Sequence, residues 1–166
     1  MAIHPNLWEL SQEAIEEYLL TIRACLSHRK PGGGCLGYPA TLLMLCLIEA
    51  FGTFLRGEEV VIDGKRQRIT QGEPFRVLNH SLFALDLTTA QMKTIEKAYR
   101  HRLAHNAMID NGSWLIPQNG PAPFVFENGQ VGILVFKLCD ILEAAWSKFD
   151  KGRIRSFVER LRNDKH

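Results

Sequence analysis

The chain is short of most features that announce a class. Its formal net charge is only +2, so charge alone makes no case for nucleic acid. With 46% hydrophobic and 23% charged residues, it fits neither a disordered nor a fibrous protein. It has four cysteines, Cys25, Cys35, Cys46 and Cys139, and no CxxC pair. A disulfide framework is therefore not expected, and the cysteines read as small buried hydrophobes in a reducing compartment. A zinc site using Cys35 and His28 is a minor alternative. Met1-Ala2-Ile3-His4-Pro5 lacks a basic region followed by an apolar stretch, so no secretory leader is expected and the cytoplasm is the expected compartment. The apolar run 40–54 is interrupted by Glu49 and Gly52. It falls short of the roughly 20 residues a membrane span needs. A buried central helix is the better reading, with no membrane partner. There is no internal repeat and no low-complexity segment, and residues 1–166 are most simply one domain.

The patterns that are present are mostly helical. Leu7, Leu10, Ala14, Tyr18 and Ile22, flanked by Ile15, Leu19 and Leu26, predict an amphipathic helix over 6–28 with a glutamate-rich outer face. Lys30-Pro31-Gly32-Gly33-Gly34 ends it. Pro39 suits the first turn of a second helix running to about Leu55, apolar nearly all round. Residues 60–69 read as a hairpin on an Asp63-Gly64 turn, and 74–84 as a short helix. Thr88 with Gln91 resembles a capping box, and the helix it starts is expected to reach about Met108 with a core stripe of Met92, Ile95, Tyr99 and Leu103. Residues 114–132 read as a second, irregular hairpin turning at Asn128-Gly129. Helices over 134–149 and from Gly152 onward complete a mainly α architecture of about five to six helices with one or two small β-hairpin insertions.

Two features bear on chemistry. The C-terminal end gathers Lys148, Lys151, Arg153, Arg155, Arg160, Arg162 and Lys165 against Asp150, Glu159 and Asp164. This modest basic patch has two readings, phosphate contact or a solvated helix face. The other feature is Tyr99-Arg100-His101-Arg102-Leu103-Ala104-His105-Asn106. An arginine can hold a phosphate with a planar fork of donors, and a histidine can exchange a proton near neutral pH. Spacing alone is weak, because about 0.4 such pairs are expected by chance from 12 arginines and 6 histidines. Arg23 and His28 repeat the spacing at the end of the first helix, where His28 is explained as a basic residue at a helix C-terminus.

The context of the second pair goes further. A polar residue follows the arginine, an apolar pair precedes the histidine, and the whole lies late in a helix. Tyr99 to Asn106 resembles the RxxxxH signature of the HEPN superfamily (higher eukaryotes and prokaryotes nucleotide-binding). The resemblance is sharp over about eight residues and looser over the rest of the chain. It implies a single HEPN-like up-and-down helical bundle that commonly forms homodimers, with metal-independent RNA cleavage in active members. Arg100 and His105 then match the catalytic pair. His101 takes the position beside the arginine, where asparagine is commoner.

What the resemblance implies is attack by an RNA 2′-hydroxyl on the adjacent phosphorus. His105 moves the protons and Arg100 stabilises charge on the phosphoryl oxygens. No cofactor or metal is required, although His101 and His105 at i, i+4 also have chelating spacing. Glu49, a lone carboxylate in an apolar helix, could pair with Arg100 and orient it, or be bonded elsewhere. Asn106 could hold a phosphate or a backbone group, or be polar filler. On a regular α-helix Arg100 and His105 point about 140° apart, so a bent helix or a two-fold axis is needed to bring them together. The functional expectation is a HEPN-type endoribonuclease, such as the toxin of a toxin–antitoxin or defence system. The alternative is a non-catalytic module of the same fold that binds RNA, a nucleotide, or a protein partner such as an antitoxin.

Overall fold

The computed structural model describes residues 6–101 and 112–163. Within them the protein is mainly α. The chain order is α1 (Leu7–Ser27), α2 (Gly37–Phe54), the hairpin β1 (Glu59–Ile62) and β2 (Lys65–Arg68), and a 3-10 turn (Pro74–Asn79). Next come α3 (Thr89–Ile95), which runs on as a π-helix over Glu96–His101, the strands β3 (Trp114–Ile116), β4 (Phe124–Glu127) and β5 (Gln130–Leu134), and the helices α4 (Val135–Lys148) and α5 (Gly152–Asn163).

Helix α2 is the centre of the packing. Ala40, Met44, Leu45, Leu47, Ile48 and Phe51 are essentially fully buried, each larger one worth roughly 1.5–3 kcal/mol relative to exposure. Among the described residues α2 is the one helix long and apolar enough to cross a membrane, yet half of that window is buried inside the protein. Phe51 meets the rings of Phe83 and Phe149 edge-on at 5.4 and 5.2 Å, which ties α2 to the segments on both sides of it. Gly52 lets the 3-10 turn come close: a Cβ there would lie 2.4 Å from the Pro74 carbonyl oxygen.

Helix α1 buries Ile15, Leu19, Ile22 and Leu26. This corrects the stripe expected from sequence. Leu7, Leu10 and Tyr18 are exposed, because α2 and α4 take the flank of the apolar face rather than its middle. Arg23 fixes α1 to α4 across 120 residues of sequence. Its Nε and one Nη bond the two Glu143 carboxylate oxygens at 2.6 and 2.5 Å, and that Nη also bonds Asp140 at 2.6 Å. The carboxylates hold the Arg23 guanidinium charged well beyond its ordinary range, against the opposing effect of burial.

The hairpin turns at Asp63 and Gly64, both with positive φ, the two-residue turn whose twist matches antiparallel strands. The helix expected over 74–84 is only the 3-10 turn. Beyond it, Asn79 replaces backbone pairing: its Nδ2 donates to the Val61 and Leu87 carbonyls and its Oδ1 accepts from the Leu87 amide. The capping box is present, with the Gln91 amide donating to Thr88 Oγ1 and the Thr88 amide to Gln91 Oε1. The hairpin expected over 114–132 becomes a three-stranded sheet of order β3-β5-β4. β4 and β5 form the antiparallel turn at Asn128-Gly129, and β3 joins β5 in parallel, with Trp114 opposite Gly132. The buried hydrophobic side chains form a single cluster spanning helices and strands.

Candidate functional site

The motif helix is held by its tyrosine. Tyr99 is fully buried, and its hydroxyl lies 2.7 Å from the Trp114 carbonyl and 2.6 Å from the Val131 carbonyl. One phenolic hydrogen is thus shared between the first residue of β3 and a residue of β5. The Ser113 side chain also bonds the phenol, and burial is the dominant cause that raises its pKa, so it stays protonated and donating. Ala98 beside it is buried as well. Of the expected core stripe, Met92, Ile95 and Tyr99 are buried, and Leu103 lies outside the described residues.

Arg100 follows directly and leaves the core. Its Nε sits 2.7 Å from Glu49 Oε1 on α2, and each side chain keeps a little over a quarter of its surface exposed. The contact is close, but Nε has no hydrogen-bond partner of good geometry, so its N–H does not point along the line to the oxygen. It is an ion pair more than a linear hydrogen bond. Glu49 is still the largest cause that raises the Arg100 pKa. Cys46, one turn before Glu49, shares this environment: burial raises its thiol pKa while Arg100 pulls it down. The lone carboxylate in the apolar helix therefore does have a charged partner, and that partner is the motif arginine.

The backbone of Arg100 and His101 belongs to the π-helical segment. Its hydrogen bonds span five residues rather than four. The angle of about 140° between residues five apart holds only for α winding. In π winding, residues five apart stack about one turn above each other. His105 and Asn106 lie outside the described residues. Among the described residues, no group of three histidine, cysteine, aspartate or glutamate side chains could hold a metal ion.

No protein-family model, curated protein or solved structure matches the chain.

The other motif residues separate clearly. Arg23, the decoy with the same spacing, is consumed by Glu143 and Asp140. Three members of the C-terminal basic patch have partners among the described residues. Lys151 lies over the Trp146 ring at 3.6 Å and donates to the Trp146 carbonyl, Arg153 pairs with Glu58, and Arg155 pairs with Glu159 at 2.9 Å. This favours the solvated-face reading over phosphate contact.

One feature went unnoticed in the sequence. A cavity of about 330 Å³ opens beside the start of α2, lined among others by Lys30, Tyr38, Ser113, Trp114 and Leu115. No sequence period links the glycine loop after α1 to a three-residue strand more than 75 positions later. The close approach is at Gly37, where a Cβ would lie 3.2 Å from Leu115 Cδ1, and a single glycine before Tyr38 gave no sign of it.

Proposed function

We propose that the protein is a metal-independent endoribonuclease of the HEPN type, acting in the cytoplasm as a homodimer. The reading rests on the RxxxxH octapeptide. The observation that supports it best is the Arg100–Glu49 ion pair, which holds the motif arginine at the edge of the core with a little over a quarter of its side chain still exposed. An arginine so placed can accept a phosphodiester without first leaving the fold. Arg100 stabilises the charge that builds on the phosphoryl oxygens, and His105 transfers protons between the 2′-hydroxyl, solvent and the leaving 5′-oxygen. His101 and Asn106 flank this pair. Glu49 acts through Arg100 as a positioning residue. Bringing His105 to the same phosphate as Arg100 needs winding looser than a regular α-helix over 100–105, of which the described residues hold only Arg100 and His101 at the end of the π-helical segment. A two-fold axis pairing two motif helices accomplishes the same end.

The test is cleavage of single-stranded RNA by the purified protein in EDTA. Expected products carry a 2′,3′-cyclic phosphate and a 5′-hydroxyl, and DNA of the same sequence resists. Arg100→Ala and His105→Ala each abolish cleavage, whereas Arg23→Ala and His28→Ala leave the chemistry intact. Cleavage that survives loss of both Arg100 and His105 refutes the assignment. If the protein binds RNA without cutting it, the non-catalytic reading replaces it.

A further inference from the structure

We infer that the cavity at the start of α2 is a binding site for one ribonucleotide unit, taking the base against Tyr38 and Trp114 and the phosphate at Lys30. The inference rests on the RNA reading only for the choice of a ribonucleotide as ligand.

Four observations carry it. The first is size: about 330 Å³ lies at the lower end of the roughly 300–1,000 Å³ typical of small-ligand sites. The second is the wall chemistry. Tyr38 is half exposed and Trp114 partly so, which leaves two aromatic side chains in the lining that still contact solvent, over an apolar base that includes Leu115. Bases stack on such rings whatever their identity.

The third is charge. Among the described residues lining the cavity, Lys30 alone carries a full charge. Its loop is tight: the Lys30 amide donates to the Gly34 carbonyl at 3.1 Å, and the Gly33 amide to the Lys30 carbonyl at 2.9 Å. A Cβ at Gly34 would lie 3.8 Å from Lys30 Cε, so the lysine side chain runs back over its own glycine loop toward the cavity. A cation, aromatic walls and no described carboxylate match an anionic aromatic ligand.

The fourth is the rigidity and placement of the wall. A Cβ at Gly132 would lie 2.5 Å from Trp114 Nε1, so the indole packs directly on the bare backbone of β5. The Trp114 carbonyl and the Ser113 side chain are among the groups that Tyr99 engages, and Tyr99 precedes Arg100. The cavity wall and the motif arginine thus hang from one phenol. Tyr38 and Glu49 stand eleven residues apart on α2, about 16 Å along its axis, so a nucleotide seated here lies away from the phosphate at Arg100 and anchors the strand at a distance from it.

The test uses two probes on the full chain at low salt: adenosine 5′-monophosphate, and a short 2′-O-methyl oligoribonucleotide. The latter lacks the nucleophilic hydroxyl and cannot be cut. Affinity is read by calorimetry. Trp114→Ala should weaken binding by about 5- to 150-fold, the equivalent of the roughly 1–3 kcal/mol a base gains by stacking on an aromatic ring. Because that indole also packs on β5, Tyr38→Ala is the second variant, and it should weaken binding in the same direction without affecting the melting temperature. Lys30→Ala should lower the slope of log affinity against log salt for the strand by about 0.7. Binding of both probes means a single nucleotide suffices. Binding of the strand alone means the site takes its nucleotide from RNA. No binding of either at millimolar concentration, or affinities unchanged by both Lys30→Ala and Tyr38→Ala, overturns the proposal. If the strand binds through these residues while unmodified RNA is never cleaved, the ribonuclease reading falls and this site stands.

Discussion

Gly52→Ala sets two opposing effects against each other at one atom. Gly52 lies in the last turns of α2, and replacing a mid-helix glycine with alanine normally stabilises by about 1 kcal/mol through helix propensity. Here the new Cβ would stand 2.4 Å from the Pro74 carbonyl oxygen and 2.8 Å from both Pro74 Cα and Cβ. Real Cβ atoms essentially never approach within 3.0 Å, so α2 and the 3-10 turn must part by at least about 0.6 Å. The obstacle is backbone, which cannot rotate aside as a side-chain end can. Phe75, Val77 and Leu78 behind it are buried, so the displacement propagates into the core. Overpacking of this kind costs about 1–3 kcal/mol and sometimes more. An overlap this deep against backbone belongs to the upper part of that range, about 2–3 kcal/mol, so after the propensity gain of about 1 kcal/mol the net loss is about 1–2 kcal/mol. For a chain of this size each kcal/mol shifts the melting temperature by roughly 2–4 °C, so a fall of roughly 2–8 °C is expected. Thermal and urea denaturation followed by circular dichroism measure it. Gly72→Ala is the control, since nothing lies within 4 Å of its Cβ position, and it should stay within about 0.5 kcal/mol of the parent. A Gly52→Ala variant as stable as the parent, or more so, would show that the close approach does not exist.

Four further outcomes follow from the same geometry. Tyr99→Phe removes the donor shared by the Trp114 and Val131 carbonyls and should destabilise the fold by about 1–3 kcal/mol in urea titration, whereas a neutral substitution would mean that neither carbonyl depends on the phenol. Glu49→Gln should cost less than about 1 kcal/mol of stability because both partners are partly exposed, but should lower the rate of RNA cleavage at saturating substrate more than it changes KM. His80 has its pKa lowered, by burial first and by Arg153 as well, with Glu58 opposing. Its folded state therefore prefers the neutral ring, so stability is unaffected above about pH 6.5 and erodes as pH falls below it; His80→Gln should flatten that slope between pH 6.5 and 5. Cys139, fully buried and with its thiol pKa pushed up to about 12 chiefly by burial, should resist iodoacetamide at pH 8 in the native protein and react only after denaturation, as read by mass spectrometry.

Most elements were legible because each carries a period or a punctuation mark: the capping box at Thr88, the glycine loop after α1, and the Asp63-Gly64 turn of the first hairpin. Three things were not. The buried face of α1 was misplaced because its apolar arc is wider than the groove it fills, and only tertiary packing decides which half is covered. Strand β3 was missed because three residues have no readable period, and a parallel partner leaves no turn between the two strands. The π winding over Glu96–His101 has no sequence period of its own at that length. At the site, Glu49 was readable because a lone carboxylate in an apolar helix demands a partner. Arg23 was not distinguishable from Arg100 by spacing, and its partners Asp140 and Glu143 lie more than a hundred residues away.

Helix α2 has a consequence for timing as well as for shape. It touches α1, α4, α5, the 3-10 turn and the π-helical segment, and its inner face from Ala40 to Gly52 is buried. Amides in such an element exchange with solvent only when the whole molecule opens, while loops and ends exchange by local fluctuation. Because Glu49 belongs to α2, the backbone beneath the partner of Arg100 is expected among the slowest to exchange. The Arg100 and Glu49 side chains are both partly exposed and still exchange rotamers within nanoseconds, so an anion arriving there meets an adjustable guanidinium above a slow backbone.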